Sequence, residues 1–259
     1  MPEHAVGTQE GWQAERDKLL AEEKELTRRS DELARKRREL PWVRVEKEYR
    51  FDTDDGTRTL PELFDGRSQL LVYHLMFGES FDAACPICSS MADSVNGLLP
   101  YLHARDVTML LVSRAPLERL QAYKRRMGWS IPWASTAGND FNFDLGVSFT
   151  PEQVREQFGP ALDDPTPGLR RVATASGTDV LGYIAEAPTP TSTAFALVDG
   201  AVYRTYATTG RGVEFLMGYY PILDRVPKGR DEGDSRAPDS VFWIRPHDEY
   251  EDADAGRPS

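Results

Sequence analysis

Cysteine is nearly absent from this chain of 259 residues: there are two. Two thiols cannot build the framework of bridges that small secreted scaffolds depend on, and a reducing cytoplasm would keep exposed thiols free. Histidine is also scarce, with four residues and no pair beside the cysteines, so the four ligands of a tetrahedral zinc site are not to hand. No metal and no cofactor is expected. Long apolar runs are missing too. Nothing approaches the roughly 18 residues of a membrane span, and the first thirty residues are charged where a secretory leader carries an apolar stretch. A cytoplasmic location is the expectation. Positive charge is in deficit, the formal net charge being −11. Phosphate binding needs a clustered positive field, and the Arg-rich stretch 28–38 is interleaved with acids, which excludes a nucleic-acid partner and docking on an anionic membrane. What remains is an ordinary globular composition, 40% hydrophobic and 28% charged, long enough for one sizeable core. No repeat of 20–50 residues is visible.

From about Gln9 to Leu40 no proline occurs, and no glycine after Gly11, which predicts one long charged helix ending against Pro41. Trp12, Leu19, Leu26, Leu33 and Leu40 recur every seven residues, but Arg16, Glu23, Ser30 and Arg37 leave the second line of a coiled-coil seam polar. This helix, the arm 1–41, is read as packing on its own body or on a second copy, as the surface of a homodimer.

Residues 42–226 read as the main domain. The stretch Trp42–Phe51 alternates through Val43, Val45 and Tyr49, and Asp54-Asp55-Gly56 supplies a turn before Thr57–Leu60, which predicts a hairpin. Leu70–Phe77 is a nearly continuous apolar run, as a central strand covered on both faces requires. After it come a polar loop, Cys85-Pro86-Ile87-Cys88, and a helical stretch to about Ala104. Val107–Ser113 is a second buried strand and Pro116–Met127 a helix closed by Gly128. Strand, helix, strand, helix with short links implies a parallel sheet with right-handed crossovers. Trp129–Leu145 suits a loop region with a short strand near Ile131–Ala134. Residues 151–190, rich in Pro, Gly and Asp, read as an inserted loop and short helix. Ser192–Val198 and Ala201–Thr205 form a hairpin around Asp199-Gly200, followed by a helix from about Gly212 to Leu223. The tail 227–259 is acidic, rich in Gly and Pro and largely flexible, with Val241–Ile244 as its one docking segment.

The chemistry concentrates at the two cysteines. A Cys-x-x-Cys directly after a buried strand and at the head of a helix meets three requirements together. The helix N-terminus favours a thiolate on its first cysteine. Pro86 suits the first helical position, where a missing N–H costs nothing. Cys88 lies one turn on, on the same side, able to attack a mixed disulfide at Cys85. The bland alternative, two small buried hydrophobes, is outweighed by the strand-to-helix context. His74, among apolar neighbours in a strand, reads as a satisfied sheet histidine, and His103 as a helix cap. Arg114, at the C-terminal end of a strand, faces either an anionic group or the thiolate, or else a surface salt bridge. Trp129 and Trp133, with Phe141 and Phe143, line a substrate pocket together with Pro86 and Arg114, or else are core, which aromatics at this density more often are.

The charged helix ending in Leu40-Pro41-Trp42-Val43, the stretch LFDGRSQLLVYHLMFG (63–78), the CPIC, SRAPLERLQAYKRRMGW (113–129), DFNFDLGVSFT (140–150) and HDEY (247–250) together resemble the bacterial thioredoxin-like family known as domain-of-unknown-function family 899. The resemblance runs over almost the whole length. It implies a thioredoxin-like three-layer α/β sandwich, with the long N-terminal helix and inserted loop region as additions, and redox chemistry at Cys85 and Cys88. The dithiol is also similar to the Cys-Pro-x-Cys of glutaredoxins, with Ile87 where a tyrosine is usual.

Three functions follow as expectations. The first is a dithiol–disulfide oxidoreductase, its partner a disulfide substrate or a small thiol. The second is a thioredoxin-fold module binding a small molecule or protein, with a switch or non-catalytic dithiol. The third is a peroxiredoxin-like peroxidase, which ranks lower because Gly78 and Asp82 stand where that motif needs Pro and Thr or Ser, and an acid would oppose the thiolate. Pro188 and Pro190 are the candidates for the proline that faces the dithiol in thioredoxin-fold enzymes.

Overall fold

The computed structural model describes residues 5–186, 190–233 and 240–250. Two compact units divide at Trp42. The first is built on helix α1 (Gln9–Arg38), whose Thr8 side chain accepts the Gly11 N–H and whose last turn carries Arg35, Lys36, Arg37 and Arg38 against the negative end of the helix dipole. Pairs one turn apart, Lys18 with Glu15 and Lys36 with Glu32 among them, line its surface. None of its side chains is buried, and the expected seven-residue line of Trp12, Leu19, Leu26 and Leu33 is exposed.

The second unit is an eight-stranded mixed sheet. Its strands are β1 (Val43–Arg44), β2 (Arg50–Thr53), β3 (Gly56–Thr59), β4 (Gln69–His74), β5 (Val107–Ser113), β6 (Trp133–Ser135), β7 (Thr191–Val198) and β8 (Ala201–Thr209), in the order β1-β8-β7-β4-β5-β6-β2-β3. The central four define the fold. β4 runs parallel to β5 through a crossover containing α2 (Pro86–Val95) and α3 (Leu99–His103), and β7 and β8 return antiparallel on the other side of β4. That is the thioredoxin arrangement, with the dithiol on the helix that follows the central strand.

Alternation along the strands sorts the core into two layers. Leu70 and Val72, with Leu110, Val112 and Phe195, pack on one face under Phe51, Phe64 and Phe141. Tyr73, Met109 and Leu111 point to the other, where α2 and α4 (Leu117–Arg126) lie with Met91, Val95, Leu120 and Tyr123. β4 is thus covered on both faces, as its unbroken apolar run requires.

The structure departs from the expected elements in three places. The alternating stretch 42–51 is not one strand: β1 pairs with β8 at one edge and β2 with β6 toward the other. The link between them packs Val45 and Tyr49 against the cluster of Leu70 and Val72; the Val45 N–H still donates to the Val202 carbonyl of β8 at 2.9 Å, while Tyr49 keeps the apolar alternation outside the strands. Residues 151–190 are not a loop with one short helix. Three helices, α6 (Pro151–Asp163), α7 (Pro167–Ala175) and α8 (Val180–Glu186), follow α5 (Phe141–Asp144), and α6 and α7 open on a capping threonine followed by proline. The helix expected from Gly212 to Leu223 is a 3-10 segment, Gly210–Leu216, and a single turn, α9 (Tyr220–Leu223), because Met217 leaves the helical region at ψ 74°.

In the tail, Ile244 is buried in the main core, and Arg126 and Asp93 hold Asp248 and His247 at 2.7 and 2.8 Å. Among the described residues no helix is long and apolar enough to cross a membrane.

Candidate redox site

β4 aims the chain at the site. Beyond its last residue the backbone continues through Leu75–Phe77, turns through 78–84 and returns, so that the Cys85 N–H donates to the Met76 carbonyl at 2.9 Å. Cys85 is the N-cap of α2 and Pro86 its first residue. The Cys85 carbonyl accepts from the Ser89 N–H and hydroxyl, at 2.9 and 3.0 Å, which locks the first turn. Both cysteines are free thiols and both are buried, 1% and 0% exposed.

Tyr183, on α8, brings its hydroxyl to 3.0 Å from the Cys85 sulfur, with its ring stacked on Phe81 at 6.0 Å. Burial opposes ionisation of Cys85. The Cys88 thiol, the Tyr183 hydroxyl and the N–H groups of Cys88 and Ile87 all turn toward its sulfur and outweigh that penalty, bringing the thiol down to about 7. Cys88 moves the other way, pushed up because it donates to Cys85 and is itself buried. The two sulfurs therefore share one easily lost proton, and the negative charge belongs on Cys85. Burial, then the neighbouring thiols, push Tyr183 well up, so its hydroxyl stays protonated and able to donate. Tyr73, from β4, is the tyrosine next to Cys88. Its buried hydroxyl has no partner of hydrogen-bond geometry, although it is near enough to Cys88 to ease that thiol's ionisation.

The loop before Cys85 is held from two sides. The Asp82 and Ala83 N–H groups donate to the Ser176 carbonyl at the end of α7, and Arg119 of α4 donates to the carbonyls of Glu79 and Phe81. Gly177, at φ +71°, lies so close to the Asp82 side chain that a Cβ there would collide with it.

Arg114 does not reach the thiolate. It pairs with Glu186 at 2.8 Å and Glu79 at 3.2 Å and lies over the Phe143 ring. Burial pushes the Glu186 carboxyl up to about 7 against the pull of Arg114. Trp129 and Trp133 are core: their rings meet each other at 5.7 Å and Tyr123 at 5.7 and 6.3 Å. Tyr123 passes that support to α2 through the Ser89 hydroxyl. His74 is a satisfied sheet histidine, bonded to Asn142 and Thr193, and burial takes it down to about 4. Pro86 borders a cleft of about 450 Å³ between α7 and the tail. Of the two prolines weighed against the dithiol, Pro188 falls outside the described residues, and Pro190 accepts the Gly210 N–H just ahead of β7.

Sequence reasoning missed Tyr183 and Tyr73. Tyr73 carries a signal in hindsight, since alternation puts it on the face of β4 that α2 covers. Tyr183 carries none, because 98 residues separate it from Cys85.

Fold and site define a thioredoxin-fold protein with a buried dithiol at the head of the helix after its central strand. The chain belongs to the family described as bacterial protein of unknown function, DUF899, whose model matches residues 1–250. No curated protein matches it in sequence. Among solved structures it is similar to a mutant of PrxQ from Xylella fastidiosa (11% identity, 65% of this chain and 82% of that one, TM-score 0.40). Peroxidoxin BcpB from Mycobacterium tuberculosis is 12% identical over 68% of this chain and 92% of its own, at TM-score 0.38. The yeast mitochondrial 1-Cys peroxiredoxin is 13% identical over 75% and 79%, at 0.40. The strand order β8-β7-β4-β5 and the parallel β4–β5 crossover through α2 define the fold.

Proposed function

We propose that this protein is a dithiol–disulfide oxidoreductase in which Cys85 is the nucleophile and Cys88 the resolving thiol. One observation carries the reading: the Cys85 sulfur sits at the head of α2 with the Tyr183 hydroxyl 3.0 Å away. In the first step the Cys85 thiolate attacks one sulfur of a substrate disulfide. A mixed disulfide forms, and the other substrate sulfur leaves as a thiolate that takes up a proton. Cys88 then gives up its proton and attacks the Cys85 sulfur. A Cys85–Cys88 disulfide forms and the second substrate sulfur leaves, so two electrons pass from the dithiol to the substrate. A donor dithiol reverses the sequence to reload the protein.

Burial of both sulfurs favours a second reading, a binding module whose dithiol acts as a switch. Glutathione buffers of graded ratio, followed by alkylation and mass analysis, separate the two. Catalytic exchange predicts a reversible two-electron transition in the wild type and a glutathione adduct on Cys85 in Cys88→Ser. Thiols that stay unreactive across the range would leave the binding module standing.

A further inference from the structure

We propose that the cleft between α7 and the tail binds the carboxylate-bearing arm of a small anionic disulfide and presents its sulfurs to Cys85. The inference rests on the exchange reading above and adds a substrate class to it. Three observations carry it. The cleft is lined by Ala84 and Pro86, the two neighbours of Cys85, so a ligand seated there lies against the backbone that holds the nucleophile. Its volume, about 450 Å³, suits a ligand of peptide size. Its lining combines an apolar bed, including Val172 and Ile244, with the exposed Arg171 and Arg245.

These arginines differ from others in the molecule. Arg114, Arg126 and Arg230 are each held by carboxylates. Arg171 instead donates to the Phe242 carbonyl, and at Arg245 the backbone N–H, not the guanidinium, is engaged, by the Tyr250 hydroxyl. Among the described residues neither guanidinium is paired with an acid. Glu249, which also lines the cleft, is drawn toward Arg126. In a chain of net charge −11, two guanidinium groups that line the same cleft as Ala84 and Pro86, and that pair with no acid among the described residues, form a local field that a carboxylate would complete bidentately. The N–H groups at the head of α2 are turned to the Cys85 sulfur, which leaves recognition of the anion to Arg171 and Arg245.

Three disulfides of different charge test this: glutathione disulfide (anionic), hydroxyethyl disulfide (neutral) and cystamine (cationic). Mixed-disulfide formation at Cys85 is timed in Cys88→Ser, alone and with Arg171→Gln and Arg245→Gln, each variant checked by its melting temperature. The anionic reagent is expected to react fastest. The double arginine change should slow it roughly tenfold, the scale of two exposed charge contacts, while leaving the neutral reagent within about twofold. A binding measurement that needs no exchange runs beside it: calorimetric titration with S-methylglutathione, whose affinity should fall roughly tenfold in the arginine variant. Uniform slowing of all three reagents, or S-methylglutathione affinity unchanged by the double change, overturns the cleft assignment. Binding that depends on the arginines without reaction of any disulfide supports the cleft and refutes the exchange reading.

Discussion

At the scale of single residues, two tyrosines border the dithiol, Tyr183 at Cys85 and Tyr73 near Cys88. The Tyr183 hydroxyl interacts more strongly with a thiolate than with a thiol, so removing it must raise the Cys85 pKa. Alkylation of Cys85 followed against pH should show a midpoint near 7 in the wild type. In Tyr183→Phe the midpoint should move upward, with a rate loss at pH 7 of up to about tenfold for each unit moved. An unmoved midpoint would mean that the 3.0 Å contact does not stabilise the ionised form. Tyr73 should behave oppositely. A buried hydroxyl without a partner costs roughly 1–3 kcal/mol, and Tyr73→Phe removes that cost while keeping the ring. The reduced variant is expected to melt no lower than the wild type, with the Cys85 midpoint unchanged; a clear loss of stability would show that the hydroxyl is satisfied after all. These tyrosines also mark where the sequence stops being legible. Cys85, Pro86 and Cys88 announce themselves because strand, helix cap and spacing are contiguous, whereas Tyr183 reaches Cys85 through a fold that no local pattern encodes.

At the scale of elements, what could be read depended on whether an element's partners are close in the chain. α1, β4, β5, α4 and the β7–β8 hairpin follow from periodicity and end signals, because each is set by its own residues and near neighbours. β1 and β2 fail as one strand because their partners, β8 and β6, lie at opposite sides of the sheet; alternation reports burial and is silent about which edge supplies the ladder. The helices of 151–186 were hidden by their own prolines, which at Pro151 and Pro167 are first residues after a capping threonine and therefore start helices. This region is what covers the dithiol, through Tyr183 and through the Ser176 carbonyl that holds the loop before Cys85. Gly177 is the hinge of that contact, and Gly177→Ala adds a left-handed non-glycine backbone and a collision with Asp82. It should cost roughly 1–3 kcal/mol and speed Cys85 alkylation at fixed pH by loosening the cover. Gly128→Ala is the control: its φ is also positive, +63°, but nothing lies within 4 Å of the added Cβ. It should lower stability while leaving Cys85 reactivity alone. If both glycine variants change alkylation equally, the cover is not specific to the 176–177 contact.

At the scale of the whole molecule, strand order turns one end of β4 into the place where buried groups with opposed titrations collect. His74 closes β4 on the face of Phe141, and Glu186 ends α8 beside Arg114. His74 is depressed from 6.5 to about 4, so between those values the unfolded chain binds the proton more tightly, and stability falls as pH drops from 6.5 to 4. Glu186 is raised from 4.5 to about 7, so the folded state holds the proton more tightly, and stability falls as pH rises from 4.5 to 7. Each shift is worth about 3 kcal/mol, and the two slopes oppose each other across nearly the same window. Their contributions should largely cancel in the wild type between pH 4.5 and 6.5, a balance that substitution exposes. In urea unfolding, the stability of His74→Gln should fall progressively as pH rises from 4.5 to 7, since only the Glu186 slope remains. Glu186→Gln should lose it progressively as pH falls from 6.5 to 4, since only the His74 slope remains. Parallel pH profiles for the two variants would refute the assignment of either group, because a shared change in packing or in the Arg114 contact displaces a stability curve without giving the two variants slopes of opposite sign.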